Sequence, residues 1–263
     1  MQVSVPLTVK AWKLALIGLT AGIFSGGFGV GGGIIMVPLL VAVGLDRHRA
    51  HATSLAAIIP IAVAGAVAFG LSGEVNLGLG VYIGLGGVVG SVLGASLMNR
   101  MSSRSLSVFF GIVLLAAGIR MIASGDSLPS SSDFGEPALI AIAVGIGLIS
   151  GFFAGVAGIG GGAVIVPATV LLLGFTQHVA QGTSLVAIIL TAVAGSFVNL
   201  RNKRVRLEDG LAAGGAGVVG SIVGAQIALG ADGRTLSVLF GVLIVVLSTR
   251  TLYQAIRAPT PIA

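Results

Sequence analysis

The sequence predicts an all-α polytopic membrane protein made of two homologous halves arranged as inverted repeats. Three observations support this class. Of the 263 residues, 56% are hydrophobic and only 8% are charged, which leaves too little polar side chain to cover a water-soluble globule. The chain divides into apolar stretches that each approach the length of one membrane span. These stretches recur in the same order about 130 residues later.

The first half, residues 11–123, begins with a Gly-broken apolar block at 11–44. At about 34 residues it is too long for one span, which needs about 20 residues. Four glycines lie between Gly29 and Gly33, and each weakens a helix by roughly 1 kcal/mol relative to Ala. We expect a helical hairpin, and the sequence leaves open whether its arms cross fully or re-enter. The spans that follow are predicted at 51–71, 77–98 and 106–123.

The second half, residues 137–256, repeats this organisation after a linker rich in Ser, Pro and Asp at 124–136. Its hairpin is predicted at 137–174. Residues 22–38 match residues 151–167 at 9 of 17 positions, and residues 53–65 match residues 183–195 at 10 of 13. The remaining spans are predicted at 180–200, 207–230 and 236–256.

The distribution of Lys and Arg predicts how the halves are oriented. If each Gly-broken block returns to the side where it started, 12 of the 14 basic residues share one side of the membrane. If each block crosses once, the division is 9 to 5. Because cytoplasmic loops carry an excess of Lys and Arg, the first arrangement is favoured. It makes the halves inverted, both termini cytoplasmic and the linker at 124–136 extracytoplasmic.

Composition also excludes several functions. The net charge of +6 would suggest nucleic-acid binding in a soluble chain, but most basic residues flank apolar stretches, so we predict a lipid bilayer and no nucleic acid as partner. The absence of Cys excludes thiol chemistry. No catalytic constellation or metal-ligand cluster appears, so we predict neither an enzyme nor a cofactor. All eight acidic residues lie in loops or at span ends, which leaves the coupling ion open between proton, sodium and none.

A hairpin broken inside the membrane creates a candidate anion site. Its second arm would begin at membrane depth, where irregular backbone must be buried in protein or line a cavity. The free N–H groups and positive dipole end of that arm favour an anion. Hydroxyl pairs at the start of the next span could add hydrogen bonds. The candidate substrate-binding residues are Ser25, Gly26, Gly29, Gly31, Gly32, Gly33, Thr53, Ser54, Gly158, Gly160, Gly161, Gly162, Thr183 and Ser184.

Each of these assignments has a structural alternative. The glycines could serve only close helix packing, as small residues often do in membranes. The hydroxyls could cap helices or bond to the preceding turn. A further group of polar residues in or near spans could line a path through the protein: Asn76, Gln181, Asn199 and Gln226.

Together these motifs resemble the sulfite exporter TauE/SafE family of membrane transporters. The resemblance rests on paired Gly-rich blocks ending in Val-Pro, each followed about 15 residues later by Thr-Ser-Leu, and it extends from about Leu14 to Ile256. It implies export of a small sulfur-containing anion, such as sulfite, an organosulfonate or sulfoacetate, across the bacterial inner membrane. We expect alternating access in which one half rocks against the other. An anion channel and a non-transporting scaffold or partner subunit are the alternatives, and a homo-oligomer stays open.

Overall fold

The protein is all-helical. The computed structural model describes residues 10–97, 103–123, 135–157, 161–201 and 207–257. Within them, seven helices are long and apolar enough to cross a membrane, which confirms the predicted all-helical membrane class. The ten helices are α1 (Ala11–Phe28), α2 (Gly33–Ala42), α3 (Arg47–Leu71), α4 (Leu77–Leu97), α5 (Ser103–Ala123), α6 (Glu136–Ala157), α7 (Gly162–Leu173), α8 (Gln177–Arg201), α9 (Leu207–Gly230) and α10 (Gly233–Arg257).

Large apolar side chains cover the outside of the helix bundle. Leu71 is 86% exposed, and Leu77 and Leu211 are each 66% exposed. Such a surface would favour aggregation in water, whereas lipid tails solvate it at no cost. The exposed surface therefore suits a bilayer, and the polar residues discussed below lie inside the bundle.

Helices α1 and α9 pack so closely that their backbones touch. A Cβ atom added to Gly18 would overlap the carbonyl oxygen of Ala213, and one added to Gly26 would overlap that of Ser221. Small residues permit this approach in membrane proteins, where packing rather than hydrophobic burial drives helix association. Because the contact positions increase together along both helices, α1 and α9 run parallel.

Helices α4 and α6 form a second pair of the same kind. A Cβ atom on Gly86 would overlap the carbonyl oxygen of Val144, and one on Gly94 would overlap that of Phe152. These helices also run parallel. Each close pair therefore joins one helix from residues 11–123 to one helix from residues 136–257.

Helices α3 and α8 cross the centre of the bundle in opposite directions. The Cβ position of Gly65 on α3 lies 2.8 Å from Leu185 Cδ1 on α8, while that of Gly195 on α8 lies 3.1 Å from Leu55 Cδ1 on α3. The contact positions thus increase along one helix as they decrease along the other. Helices α3 and α8 therefore form an antiparallel pair, and different helices pack on each of them.

Each central helix also has a parallel neighbour. Gly210 of α9 contacts Ala56 of α3, and further along both helices Gly217 contacts Ile61. On the other side, Gly80 and Gly84 of α4 contact two later positions of α8, Val186 and Leu190 respectively. Helix α3 therefore packs with α9 and its close partner α1, whereas α8 packs with α4, which forms a close pair with α6.

The two short helices begin inside the bundle. Helices α2 and α7 have 10 and 12 residues, about 15 and 18 Å of helix, which is less than the ~30 Å of a bilayer core. The Cβ position of Gly32, just before α2, lies 2.8 Å from the carbonyl oxygen of Ala21 in the middle of α1. That of Gly161, just before α7, lies 3.3 Å from Ser150 Cβ in the middle of α6. After each break the chain has thus turned back along the helix it left.

Candidate functional site

The breaks before α2 and α7 meet in the interior of the bundle. A Cβ atom on Gly162, the first residue of α7, would lie 2.5 Å from Val30 Cα and 2.9 Å from the carbonyl oxygen of Gly29. All three residues are buried. The two Gly-rich segments predicted as a site from the sequence are therefore in direct contact, and no side chain larger than hydrogen fits between them without displacing backbone.

The break between α1 and α2 depends on left-handed backbone conformations. Gly29, Gly31 and Gly32 have φ angles of 68°, 74° and 69°, which glycine adopts without the steric cost that other residues incur. Gly161, the residue before α7, has instead a right-handed conformation with φ of −70°. The two breaks are similar in sequence but differ in backbone geometry at this position.

Both short helices present N-termini that no side chain caps among the described residues. The carbonyl oxygen of Gly32 accepts hydrogen bonds from Ile35 N and Met36 N, and that of Gly161 accepts from Val164 N and Ile165 N. These bonds begin each helix, and the N–H groups that precede them have no intrahelical acceptor. With the positive end of the helix dipole, they form the type of backbone site that binds anions.

One face of α8 lies along this site. The Cβ position of Gly29 is 2.7 Å from Gln181 Cα, and Ile188 packs within 2.9 Å of the Cβ positions of both Gly31 and Gly162. Between them, Ser184 Oγ donates a hydrogen bond to the carbonyl oxygen of Gly29. These α8 residues follow the spacing of one helix face, so α8 positions the breaks relative to each other.

In the second half, the hydroxyl groups predicted to bind substrate are those of Thr183 and Ser184, and both form hydrogen bonds within the protein. Thr183 Oγ1 accepts a hydrogen bond of 3.0 Å from Asn76 N, and Asn76 Oδ1 in turn accepts one from Leu79 N in the first turn of α4. The hydrogen bond of Thr183 thus links α8 to the connection between α3 and α4, and that of Ser184 links α8 to Gly29. Both side chains are fully buried, and both hydroxyls already support the fold around the site.

The equivalent hydroxyls of the first half, those of Thr53 and Ser54, lie in the second turn of α3. Thr53 and Ser54 are 2% and 1% exposed, and Ser54 Oγ has no hydrogen-bond partner among the described residues. The carbonyl oxygen of Thr53 faces α9, at 3.6 Å from the Cβ position of Gly210. No described contact brings this pair to the first residue of α7, so their part in a site stays a prediction.

The remaining predicted residues lie in or beside the two breaks. Ser25 and Gly26 are buried in the last turns of α1, where Gly26 packs against α9, and Gly33 is the first residue of α2. Gly158 and Gly160 lie outside the described residues. Gln181, which the sequence marked only as one of several polar residues in spans, is the side chain in closest contact with Gly29. Only its burial and its contact with Gly29 in the structure distinguish it from the other polar residues.

Comparison with known proteins identifies the family. The chain matches the family described as sulfite exporter TauE/SafE over residues 4–121 and 143–262. It is 27% identical to the probable membrane transporter protein YunE of Bacillus subtilis, over 92% of this chain and 97% of the relative. A probable membrane transporter protein of Xylella fastidiosa is also 27% identical, over 95% and 96% of the two chains.

A third relative matches over a shorter part of the chain. The probable membrane transporter protein MJ0441 of Methanocaldococcus jannaschii is 29% identical over 69% of each chain. No solved structure matches the chain significantly. The resemblance inferred from the Gly-rich blocks is thereby confirmed by a match to nearly the whole sequence. This multi-pass membrane protein therefore belongs to the sulfite exporter TauE/SafE family, whose members are transporters and not enzymes.

Proposed function

We propose that the protein is a secondary transporter that exports a small sulfur-containing anion, such as sulfite, an organosulfonate or sulfoacetate, across the bacterial inner membrane. The observation that carries this proposal is the contact between Gly162 and the Gly29–Val30 backbone. It brings the uncapped N-terminus of α7 against the backbone that leads from α1 to α2, and Ile188 contacts both Gly162 and Gly31, two residues before α2. The family's description adds sulfite as a first candidate substrate.

Electrostatics explains why this place suits an anion. A helix N-terminus carries about half a positive charge, and its first N–H groups lack acceptors within the helix. Two such ends close together in a medium of low dielectric constant repel each other unless a negative group lies between them. The three oxygens of sulfite or a sulfonate can accept hydrogen bonds from several N–H groups at once, and bonds to charged acceptors are the stronger kind.

The helix directions support an inverted arrangement of the two sequence halves. Helix α3 and its counterpart α8 run antiparallel. The same holds for α5 and its counterpart α10, because Gly111 contacts Leu252 while Ile122 contacts Gly241. Inverted repeats around a central site made by broken helices are a recurrent transporter architecture. With the excess of Lys and Arg on one side, this arrangement makes both termini cytoplasmic.

The close helix pairs bear on how access alternates. Helices α1 and α9 belong to different halves, as do α4 and α6, yet their backbones are in direct contact. If one half rocked against the other, both of these interfaces would have to open. We therefore propose different moving bodies: one contains α1, α3 and α9, the other contains α4, α6 and α8, and they move along the α3–α8 contact.

Thermal unfolding of the purified protein in detergent tests anion binding. The panel comprises sulfite, sulfate, thiosulfate, sulfoacetate, taurine, phosphate and acetate, added at equal ionic strength. We expect a saturable rise in Tm with one sulfur oxyanion or sulfonate, because a ligand that binds only the native state stabilises it. The absence of a shift with every anion would contradict the proposal.

The matched variants are Gly161→Leu and Gly145→Leu. Gly161 has an ordinary right-handed conformation, so the substitution places a large side chain at the residue that precedes α7 without forcing a disallowed φ angle. Gly145 lies on α6 with no atom within 4 Å of its Cβ position, so its substitution controls for added apolar bulk. We expect the first variant alone to lose the anion-dependent shift. Counterflow in proteoliposomes then separates a carrier from a channel.

A further inference from the structure

Three buried polar side chains surround the last turns of α1. They are Ser25 on α1, Gln181 on α8 and Ser221 on α9, and each is 0% exposed. Neither the two hydroxyl oxygens nor the two amide atoms of Gln181 have a hydrogen-bond partner among the described residues. Buried polar groups in native proteins are almost always paired with protein, water or an ion, so this group, which we call the α1 polar cluster, points to a bound ligand.

Backbone contacts hold the members of this cluster around one stretch of α1. Ser25 O accepts a hydrogen bond of 2.7 Å from Gly29 N, which closes the last turn. The Cβ position of Gly29 is 2.7 Å from Gln181 Cα, and that of Gly26 overlaps the carbonyl oxygen of Ser221. These contacts place α8 and α9 beside the C-terminal end of α1. The hydroxyl of Ser221 lies 2.8 Å from the Cβ position of Gly65 on α3, which is itself 3.8 Å from Gly26 Cα.

The internal repeat does not reproduce the cluster at the equivalent positions. By the shift of 129 or 130 residues, the counterparts of Ser25, Gln181 and Ser221 are Ala154, His51 and Ser91. Ser91 is itself satisfied, since its hydroxyl donates a hydrogen bond of 2.8 Å to the carbonyl oxygen of Val88. Helix packing shared by both halves does not account for a cluster that the repeat does not reproduce.

We infer that the α1 polar cluster binds a monovalent alkali cation, with sodium as the first candidate. Its side chains offer neutral hydroxyl and amide oxygens, the ligand type that hard cations prefer. The C-terminal end of α1 adds the negative end of a helix dipole and carbonyl groups without intrahelical donors. The three side chains carry no formal charge, which leaves a buried divalent ion uncompensated. Broken helices of secondary transporters use their C-terminal ends in this way.

A cation at this position would lie next to the proposed anion site, since Gly29 contacts both Gln181 and the first residue of α7. Its positive charge would favour the neighbouring anion, so binding of the two ions would be mutually favourable. This coupling rests on the proposed function, whereas cation binding itself does not. The two ideas can therefore fail separately.

Thermal unfolding of the purified full-length protein tests the inference directly. NaCl is replaced stepwise by choline chloride at constant ionic strength, and a KCl series runs in parallel. We expect a saturable rise in Tm of several degrees with sodium or potassium relative to choline, because choline is too large for the cluster. Equal Tm values in all three salts would overturn the inference and leave water as the partner of these groups.

Two variants and one control sharpen this experiment. The double variant Ser25→Ala with Ser221→Ala removes both hydroxyls, and Gln181→Met removes the amide at nearly constant volume. We expect either variant to lose the cation-dependent shift, whereas Ser91→Ala retains it. A shift that persists in both variants would also overturn the inference. The anion panel and the cation series on the wild-type protein separate the proposals: an anion shift without a cation shift refutes only the cation site, and a cation shift without an anion shift refutes only the anion site.

Discussion

Replacing Gly220 by Ala tests whether backbone contact between α1 and α9 holds the bundle together. Gly220 is buried in α9, facing α1. Its Cβ position lies 2.2 Å from the carbonyl oxygen of Leu19, whereas ordinary van der Waals contact begins at 3.4 Å. The added methyl group therefore requires the two helices to separate by about 1.2 Å. Neither helix can accommodate it by a side-chain rotation, because the atom it meets belongs to the backbone.

The size of the effect follows from two opposing terms. A gap of ~0.5–1 Å already forfeits a quarter to a half of each dispersion contact along the seam, and overpacked sites typically lose about 1–3 kcal/mol. Against this, Ala stabilises a helix by about 1 kcal/mol relative to Gly. Gly215 lies on the exposed face of α9 with no atom within 4 Å of its Cβ position. Replacing it by Ala therefore adds only the favourable helix-propensity term. We expect Gly220→Ala to be less stable than Gly215→Ala by about 1–3 kcal/mol.

The assay is thermal unfolding of both variants in detergent, followed by loss of the monodisperse peak on size-exclusion chromatography. Since both variants add one methyl group to the same helix, helix propensity cancels between them. If Gly220→Ala unfolds at or above the temperature of Gly215→Ala, the close α1–α9 contact is refuted. In that case the moving bodies proposed above would lose their main support.

Three further predictions concern single positions. Gly162→Ala places a methyl group 2.5 Å from the backbone of the opposing break, so we expect normal membrane insertion but no anion-dependent rise in Tm; a retained rise would contradict the site. Ser184→Ala removes the hydrogen bond to the Gly29 carbonyl and should lower the free energy of unfolding by about 1 kcal/mol, with an unchanged denaturation midpoint as the contrary result. Hydrogen bonds from the side chain and backbone of Thr235 lower the pKa of Asp232 from 3.8. The stabilising contribution of the carboxylate is thus present above pH 3.8 and lost as the pH falls through the lowered pKa of the folded protein. The Tm deficit of Asp232→Ala should therefore shrink on acidification. A deficit independent of pH would show that the carboxylate charge is irrelevant.

Composition and the recurrence of Gly-rich motifs were sufficient to predict the membrane class and the family, because both depend on properties that are visible along the chain. The glycines between Gly29 and Gly32 also predicted a break, since left-handed backbone has few other sequence signatures. The division into inverted repeats stays a proposal that the helix directions support. The membrane class, the family and the break can all be predicted without knowing which helices are neighbours.

Helix partners could not be predicted from the sequence. Glycines occur on several faces of α1, α4, α6 and α9, and nothing in their spacing tells that α1 meets α9 rather than α4. The role of Thr183 was hidden for the same reason, because its hydrogen-bond donor, Asn76, lies 107 residues away. Gln181 stood out only when its burial and its contact with Gly29 were known.

The two Gly-lined helix pairs also determine the order in which the protein can assemble. Gly86 meets Val144 after only 58 further residues have been synthesised, whereas Gly18 must wait 195 residues for Ala213. At ~5–20 residues per second, the second interval lasts about 10–40 s. The α4–α6 pair can thus form before the α1–α9 pair, which must wait until α9 enters the membrane. Helix α1 therefore stays without its closest partner, α9, until most of the chain has been translated.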